Sequence, residues 1–190
     1  VFMTLSSCTI ILFYQCLQGN FQSFWKDTQV RTFLYIIIII PFVITVWRYF
    51  IENISFLTSL RESYFNTVSL FTTTGFTSKD YNQWSPAALV LLSLAFIGGC
   101  SGSTSGGLKI FRLRITYELV KVQLYKLYQP HAVRVPVYND QEISHSVFTS
   151  VLMFVALYGA SIGVLTFILA ACNLDLETSF TGAISALANI

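Results

Sequence analysis

Charge is the scarcest commodity in this chain. Asp, Glu, Lys and Arg make up 11% of its 190 residues, less than half of the roughly 25% found in soluble globular domains. A water-facing surface of ordinary composition is therefore excluded, and the chain reads as an integral membrane protein. The net charge of +2 is too small to argue for a nucleic-acid partner. Cysteine is also sparse. Cys8, Cys16, Cys100 and Cys172 form no CxxC pair and have no histidine at ligand spacing, which excludes a disulfide or metal framework and leaves four buried thiols as the expectation. No basic segment precedes the apolar run that begins at Val1, so this is not a signal peptide. It reads as the interior of a longer chain. What the sequence has instead is oil: 54% hydrophobic residues, 17 of them Phe, and a mean hydropathy of +0.64.

The apolar residues are not spread evenly. Residues 1–17 read as the tail of a membrane helix, and residues 18–31 are polar and of mixed charge, with Trp25 and Lys26 at an interface. Residues 32–51 form the clearest span, with LYIIIIIPFVITVW at its centre and no charge before Arg48. About 20 residues at 1.5 Å each cross a hydrocarbon core of roughly 30 Å. Pro41 lies mid-span, where a kink is tolerated if neighbours cover the freed carbonyl. A segment of helical period follows, with Tyr64, Val68 and Phe71 on one face. At about 10 to 13 residues it is half a bilayer long. Ser85-Pro86 opens the next apolar run. That run breaks at Gly98 and resumes at Leu108. A polar stretch from 121 to 142, a second clear span at 147–171 and a second short helix from Ser179 complete the order of elements.

The short helix at 63–71 ends in Thr72-Thr73-Thr74-Gly75-Phe76-Thr77. Carbonyls left open by such an ending cost several kcal/mol each in lipid. A re-entrant helix buried among other helices solves the problem, and the loop then resembles a potassium-channel filter, in which backbone carbonyls replace the ion's hydration shell. Thr73, Thr74, Gly75, Phe76 and Thr77 stand at the positions of Thr, Val, Gly, Tyr and Gly in a TVGYG-type loop. The C-terminal dipole of the preceding half-helix favours a cation there. The alternative is a Thr-rich turn capping a surface helix. Span, half-helix and loop recur later in the chain: Tyr64 aligns with Phe180, Val68 with Ile184 and Ser69 with Ser185. Lys26, Arg31, Lys109, Arg112, Arg114, Lys121, Lys126 and Arg134 fall on one side of the spans and Arg48, Arg61 and Lys79 on the other, so the former side is cytoplasmic.

The break in the third apolar run is Gly98-Gly99-Cys100-Ser101-Gly102-Ser103-Thr104-Ser105-Gly106-Gly107. Irregular backbone at membrane depth is viable only where it is buried in protein or lines a cavity. At mid-membrane it obstructs any path beneath TTTGFT, which makes a gate. Two alternatives stand beside it. Gly98, Gly102 and Gly106 repeat at the four-residue spacing of a helix-packing stripe. A phosphate loop of the form GxxxxGK[ST] fails, since Leu108 separates Gly107 from Lys109 and no hydroxyl follows the lysine. Lys109 is either an interface lysine or a cation that raises the barrier to ions. His131 and His145 belong to the polar linker as solvated or structural residues, and Asp80 is a carboxylate just past the loop. An enzyme built on Cys100 lacks a neighbouring base, and no carboxylate lies within an apolar span. A plain structural scaffold has no need of buried carbonyl loops.

Phe65-Asn66-Thr67-Val68-Ser69, TTTGFT and above all FIGGCSGSTSGGLK together resemble the TrkH family, membrane subunits of bacterial Trk potassium uptake systems within the Trk/Ktr/HKT superfamily. SFWKD at 23–27 and QPHAV at 129–133 resemble linkers of that family. Ser105 stands where the family more often has glycine. The resemblance implies an all-α membrane fold of repeated membrane helix–pore helix–membrane helix units, with a broken helix in the third. On that pattern residues 1–17 end a second repeat, 18–31 and 124–143 are cytoplasmic linkers, 32–123 are the third repeat, and 144–190 begin a fourth. Asn189 and Ile190 then stand at the onset of the fourth filter, and the chain is a fragment that does not conduct alone. The resemblance further implies transport of K⁺ without a cofactor, no enzymatic activity, a multi-pass location in the bacterial inner membrane, a homodimer, and a cytosolic nucleotide-binding regulator of the TrkA kind.

Overall fold

A computed structural model describes residues 1–19, 25, 27–80, 84, 86–129, 135–139 and 141–190. Lys26, Ser85, His131, Arg134 and most of the two linker motifs lie outside the described residues. The chain is helical almost throughout: α1 (Phe2–Ser6), α2 (Ile10–Leu17), α3 (Thr28–Ile51), α4 (Phe56–Phe71), α5 (Pro86–Ile97), α6 (Ile110–Tyr128), α7 (His145–Ala171) and α8 (Leu176–Ala188). One addition to the expected all-α fold is a two-residue hairpin, β1 (Val137–Tyr138) with β2 (Gln141–Glu142), antiparallel, with Val137 opposite Glu142. Two helices, Thr28–Ile51 and Ser146–Ala171, are long and apolar enough to cross a membrane.

Three helices, α3, α7 and α8, begin where a side chain caps them. Asp27 accepts from the backbone N–H of Gln29 at 2.7 Å and of Val30 at 3.4 Å, so α3 starts four residues before the apolar run that marks it in sequence. Ser144 caps α7 and Asp175 caps α8 through the N–H of Thr178 at 3.2 Å. Within α3, Pro41 has no N–H to give its own helix. The carbonyl this leaves without its helical donor is that of Ile37, and the Tyr64 hydroxyl of α4 donates to the neighbouring Ile38 carbonyl at 3.3 Å.

Residues 1–17 depart from the expected single helix. They form α1 and α2, broken at Ser7–Thr9. The reason is tertiary. The carbonyl of Ser7 accepts from the Cys100 N–H at 3.1 Å, that of Ser6 from the Thr104 N–H at 3.4 Å, and the Ile10 N–H donates to the Gly102 carbonyl at 3.3 Å. The small-residue loop thus receives the backbone groups that the break exposes.

The short helix α4 is also longer than its apolar period suggests. At 16 residues it measures about 24 Å, still short of a roughly 30 Å core. Its polar side is the buried one: Ser59, Ser63, Asn66, Thr67 and Ser69 are all fully buried, whereas Leu57 is 78% exposed. Phe33 of α3 stacks on Phe71 at 5.3 Å between ring centres, inside a core that also contains Ile37, Leu70, Leu91 and Cys100. A second core joins α7 and α8 through Tyr158, Ile162, Ala183 and Ile184. The four cysteines are free, and Cys8 and Cys100 are buried as expected. Cys172 is exposed and Cys16 only partly covered, each at or near a helix end.

Arg48 accounts for the extra length of α4. It is fully buried rather than an interface charge. Its Nε donates to Glu52 at 2.9 Å and its Nη1 to Glu62 at 3.0 Å, while the guanidinium lies 3.9 Å from the centre of the Trp84 ring. The charge of Glu62 is thereby met inside the protein, and the helix continues through a turn that reads as a polar loop. Removing one member of a buried pair typically costs about 3 kcal/mol or more. Arg48→Ala is accordingly expected to lower the stability of the detergent-solubilised full-length protein by about 3 kcal/mol, and Glu62→Gln by less. Denaturant unfolding measures both. A midpoint unmoved by Arg48→Ala would show that the cluster does not hold α3 to α4.

Candidate functional site

The TTTGFT loop begins as a tightened helix end. Thr72 N–H donates to the Val68 carbonyl at 2.9 Å, Thr73 N–H to Leu70 at 3.1 Å and Thr74 N–H to Ser69 at 2.8 Å. Thr73 adopts φ +54 and Gly75 φ +79. The positive φ at Thr73 ends the helix; at Gly75 the same hand is tolerated because no Cβ stands there. Thr74, Gly75, Phe76 and Thr77 then run along an exposed face. Asn66, inside α4, ties this segment down. Its Oδ1 accepts from the N–H of Ser78 at 2.9 Å and from its hydroxyl at 3.2 Å, and its Nδ2 donates to the Lys79 carbonyl at 3.3 Å. Sequence reasoning did not single out Asn66. The available signal was an amide in mid-helix at membrane depth, which must find both a donor and an acceptor.

The end of α8 repeats the end of α4. Asn189 has φ +59, as Thr73 has φ +54. The Ile190 N–H donates to Ser185 at 3.1 Å, as Thr74 N–H does to Ser69. Ser179 is fully buried in α8, as its counterpart Ser63 is in α4. The two helix ends also lie side by side. A Cβ on Gly75 would lie 3.4 Å from the carbonyl carbon of Ile190. Two half-helices thus bring the negative ends of their dipoles to one place, where a cation is favoured.

Residues 98–107 fold into a loop closed at its neck. The N–H groups of Leu108, Lys109 and Ile110 donate to the carbonyls of Phe96, Ile97 and Gly99 at 3.2, 2.7 and 3.0 Å. No helix runs through Gly98, Gly102 and Gly106, so their four-residue spacing is not a packing stripe. Gly106 is the residue nearest the helix ends. Its N–H donates to the Thr73 hydroxyl at 2.9 Å, and a Cβ on it would lie 2.0 Å from the Ala188 carbonyl oxygen. Gly98 is equally confined, its would-be Cβ 2.2 Å from the Gly106 oxygen. Ser105, the departure from the family pattern, is useful here: its hydroxyl accepts from the Gly99 N–H at 3.1 Å and pairs with the Ser103 hydroxyl at 2.7 Å. Ser101 N–H donates to the Gln29 side chain at 2.9 Å and the Thr104 hydroxyl to Ser6 at 3.2 Å. Cys100 is fully buried, which denies it the role of an accessible nucleophile.

Lys109 does not extend to an interface. It adopts φ +68 at the start of α6 and folds its Nζ back to the Ser103 carbonyl at 3.2 Å. The loop therefore carries a positive charge on one side and the dipole ends of α4 and α8 on the other. Beside it lies a polar cavity of about 890 Å³ lined by Gln15, Asp27, Gln29, Ser101 and Asn139 among others. Asp80 stands exposed beyond the TTTGFT loop, and His145 opens α7. Among the described residues no group of His, Cys, Asp and Glu is placed to hold a metal ion.

Comparison with known proteins bears on the family and the fold. Residues 5–190 match the family model TrkH, described as a cation transport protein. The Trk system potassium uptake protein TrkI of Halomonas elongata is 35% identical over 191 aligned residues, which cover 100% of this chain and 39% of that protein. TrkH of Salmonella typhimurium is 30% identical, with 100% of this chain and 40% of that protein aligned. The crystal structure of the potassium transporter TrkH from Vibrio parahaemolyticus superposes with a TM-score of 0.92 at 27% identity, over 99% of this chain and 41% of that one. The chain thus spans about two fifths of the length of the relatives it matches. With the family model matched from residue 5 to residue 190 and the fold shared, this chain belongs to the TrkH family of membrane cation transport proteins.

Proposed function

We propose that this chain forms one side of a potassium-uptake pore. The observation that carries the reading is the convergence of two half-helix ends, Thr73–Gly75 and Asn189–Ile190, above a loop bonded to one and packed on the other. In this reading the carbonyls of Thr73, Thr74, Gly75, Phe76 and Thr77 form one wall of the selectivity filter. Asn189 and Ile190 begin the next wall. Residues 98–107 and Lys109 are the gate: the loop crosses the path below the filter, and the ammonium opposes cations that approach it. Potassium is the transported ion, no cofactor is needed, and the chemistry is transport rather than catalysis. The relatives' names, potassium uptake proteins of Trk systems, support that substrate.

The same reading extends to the assembly. The remaining walls come from further repeats of the full-length protein, which sits as a multi-pass protein in the bacterial inner membrane. It works as a homodimer with a cytosolic nucleotide-binding regulator of the TrkA kind, docked on the basic linker side. Arg112, Arg114, Lys121 and Lys126 on α6 supply positive charge for that contact.

Two substitutions test the pore. In proteoliposomes of the full-length protein, Gly75→Ser is expected to cut Rb⁺ flux at least tenfold or to admit Na⁺, since a Cβ at φ +79 strains the backbone beside Ile190. Unaltered Rb⁺ and Na⁺ fluxes in a folded protein would make Gly75 a turn residue only. Lys109→Ala is expected to raise Rb⁺ leak without the regulator several-fold, with Lys109→Arg close to the parent. Equal leak in all three proteins would remove Lys109 from the gate.

A further inference from the structure

The contact between Gly106 and Thr73 joins two parts that a pore needs to operate together. The Thr73 side-chain oxygen lies at the inner end of the TTTGFT loop and accepts the Gly106 N–H at 2.9 Å. A hydroxyl oxygen offers two acceptor sites, and the same lone pairs are what a hydroxyl presents to a cation. An amide N–H is the positive end of a dipole. With the loop in place, the Gly106 N–H takes one of those sites, and the positive end of its dipole opposes a cation at the other, so amide and ion disfavour one another at the same oxygen. The contact is also confined: the missing Cβ of Gly106 is what allows its backbone to press against the Ala188 carbonyl. Thr73 itself is held by its φ of +54 and by its N–H bond to Leu70, so its hydroxyl cannot follow a departing loop.

We infer that the Gly106 N–H and a potassium ion compete for the Thr73 hydroxyl, so that this side chain both latches the loop shut and becomes an ion ligand when the loop leaves. This rests on the pore reading above and adds a specific residue to it. Opening then does two things at once. It clears the path, and it releases an oxygen ligand at the inner mouth of the filter. The ion in turn opposes reclosure, because loop and ion disfavour one another at a single oxygen.

Two measurements on the full-length protein in liposomes test this, both without the regulator. The first is ⁸⁶Rb⁺ flux. The second is the rate at which a small thiol reagent modifies Cys100, with the other cysteines replaced, since Cys100 is fully buried in the seated loop. In the parent, Cys100 modification should quicken as K⁺ replaces a bulky organic cation. Thr73→Val removes the acceptor at nearly constant volume. It should raise the modification rate about fivefold, the effect of one hydrogen bond on a two-state balance, and abolish the K⁺ dependence. Thr73→Ser keeps the hydroxyl and should retain the K⁺ dependence of Cys100 modification. A Thr73→Val protein with the parent's modification rate and K⁺ dependence overturns the inference, and so does a Thr73→Ser protein that matches Thr73→Val. If Thr73→Val does not fold, K⁺-independent modification of the parent overturns it alone. The two levels separate cleanly. K⁺-dependent Cys100 modification in the parent alongside unaltered Rb⁺ and Na⁺ fluxes in Gly75→Ser overturns the pore reading itself. Normal latching behaviour in Thr73→Val, alongside altered selectivity in Gly75→Ser, overturns the competition and leaves the pore.

Discussion

Everything in this fold answers to the need to pair backbone groups where lipid offers no partners. Helices do so internally, but three irregular segments among the described residues meet one another: Ser7–Thr9, the TTTGFT loop and residues 98–107. Each is irregular, and each would be untenable alone in hydrocarbon. They survive because they satisfy one another. The small-residue loop donates to Ser6 and Ser7, accepts from Ile10, and donates to Thr73. It is the common partner of the other two. Its glycines and hydroxyls follow from that position: glycine where another backbone is within 2.2 Å of a would-be Cβ, as at Gly98 and Gly106, and serine where an N–H needs an acceptor, as Ser105 does for Gly99.

The half-helix α4 is the second consequence. A helix that ends in mid-membrane must be held from the side. Ser59 reaches the Thr45 carbonyl of α3 at 3.3 Å, Tyr64 reaches Ile38, and Arg48 binds Glu62. Asn66 then carries that support forward to Ser78 and Lys79, the residues that leave the TTTGFT loop. The polar side of the helix is buried and parts of its apolar side exposed, the reverse of a soluble surface helix. Such inversion is consistent with a helix whose surroundings are lipid on one side and protein or pore on the other.

Much of this was legible in the linear pattern. The two spans stand out because charge is absent from long apolar runs. The half-helix stands out because its apolar run is too short. The break at Gly98 stands out because ten small residues cannot be an ordinary membrane helix. The matching of Ser69 with Ser185 reappears as the same bond to Thr74 and Ile190. Other features were hidden for physical reasons. The break in residues 1–17 falls at Ser7-Cys8-Thr9, small and hydroxyl-bearing residues that also sit inside membrane helices; bonds from a segment some ninety residues away are what interrupt the helix there. Arg48 reads as an outer interface charge, since a positive residue near the end of a span snorkels by default, and its burial depends on two carboxylates and Trp84 arriving together. Cys172 reads as buried from residue type alone, yet it is exposed.

Local physical chemistry by itself determined most of where this chain is helical, which stretches are long enough to cross a bilayer, and which short stretches must be shielded; the break at Ser7–Thr9 and the full length of α4 were settled by packing. Those properties depend on side-chain hydrophobicity and on the length of uninterrupted runs, and both are written along the chain. Tertiary structure alone decided which irregular segments pair. Gly98, Gly102 and Gly106 are equivalent by spacing, yet only Gly106 meets Thr73 and Ala188. A backbone hydrogen bond reaches about 3 Å and is blind to sequence separation, so its partner is settled only when the elements have packed.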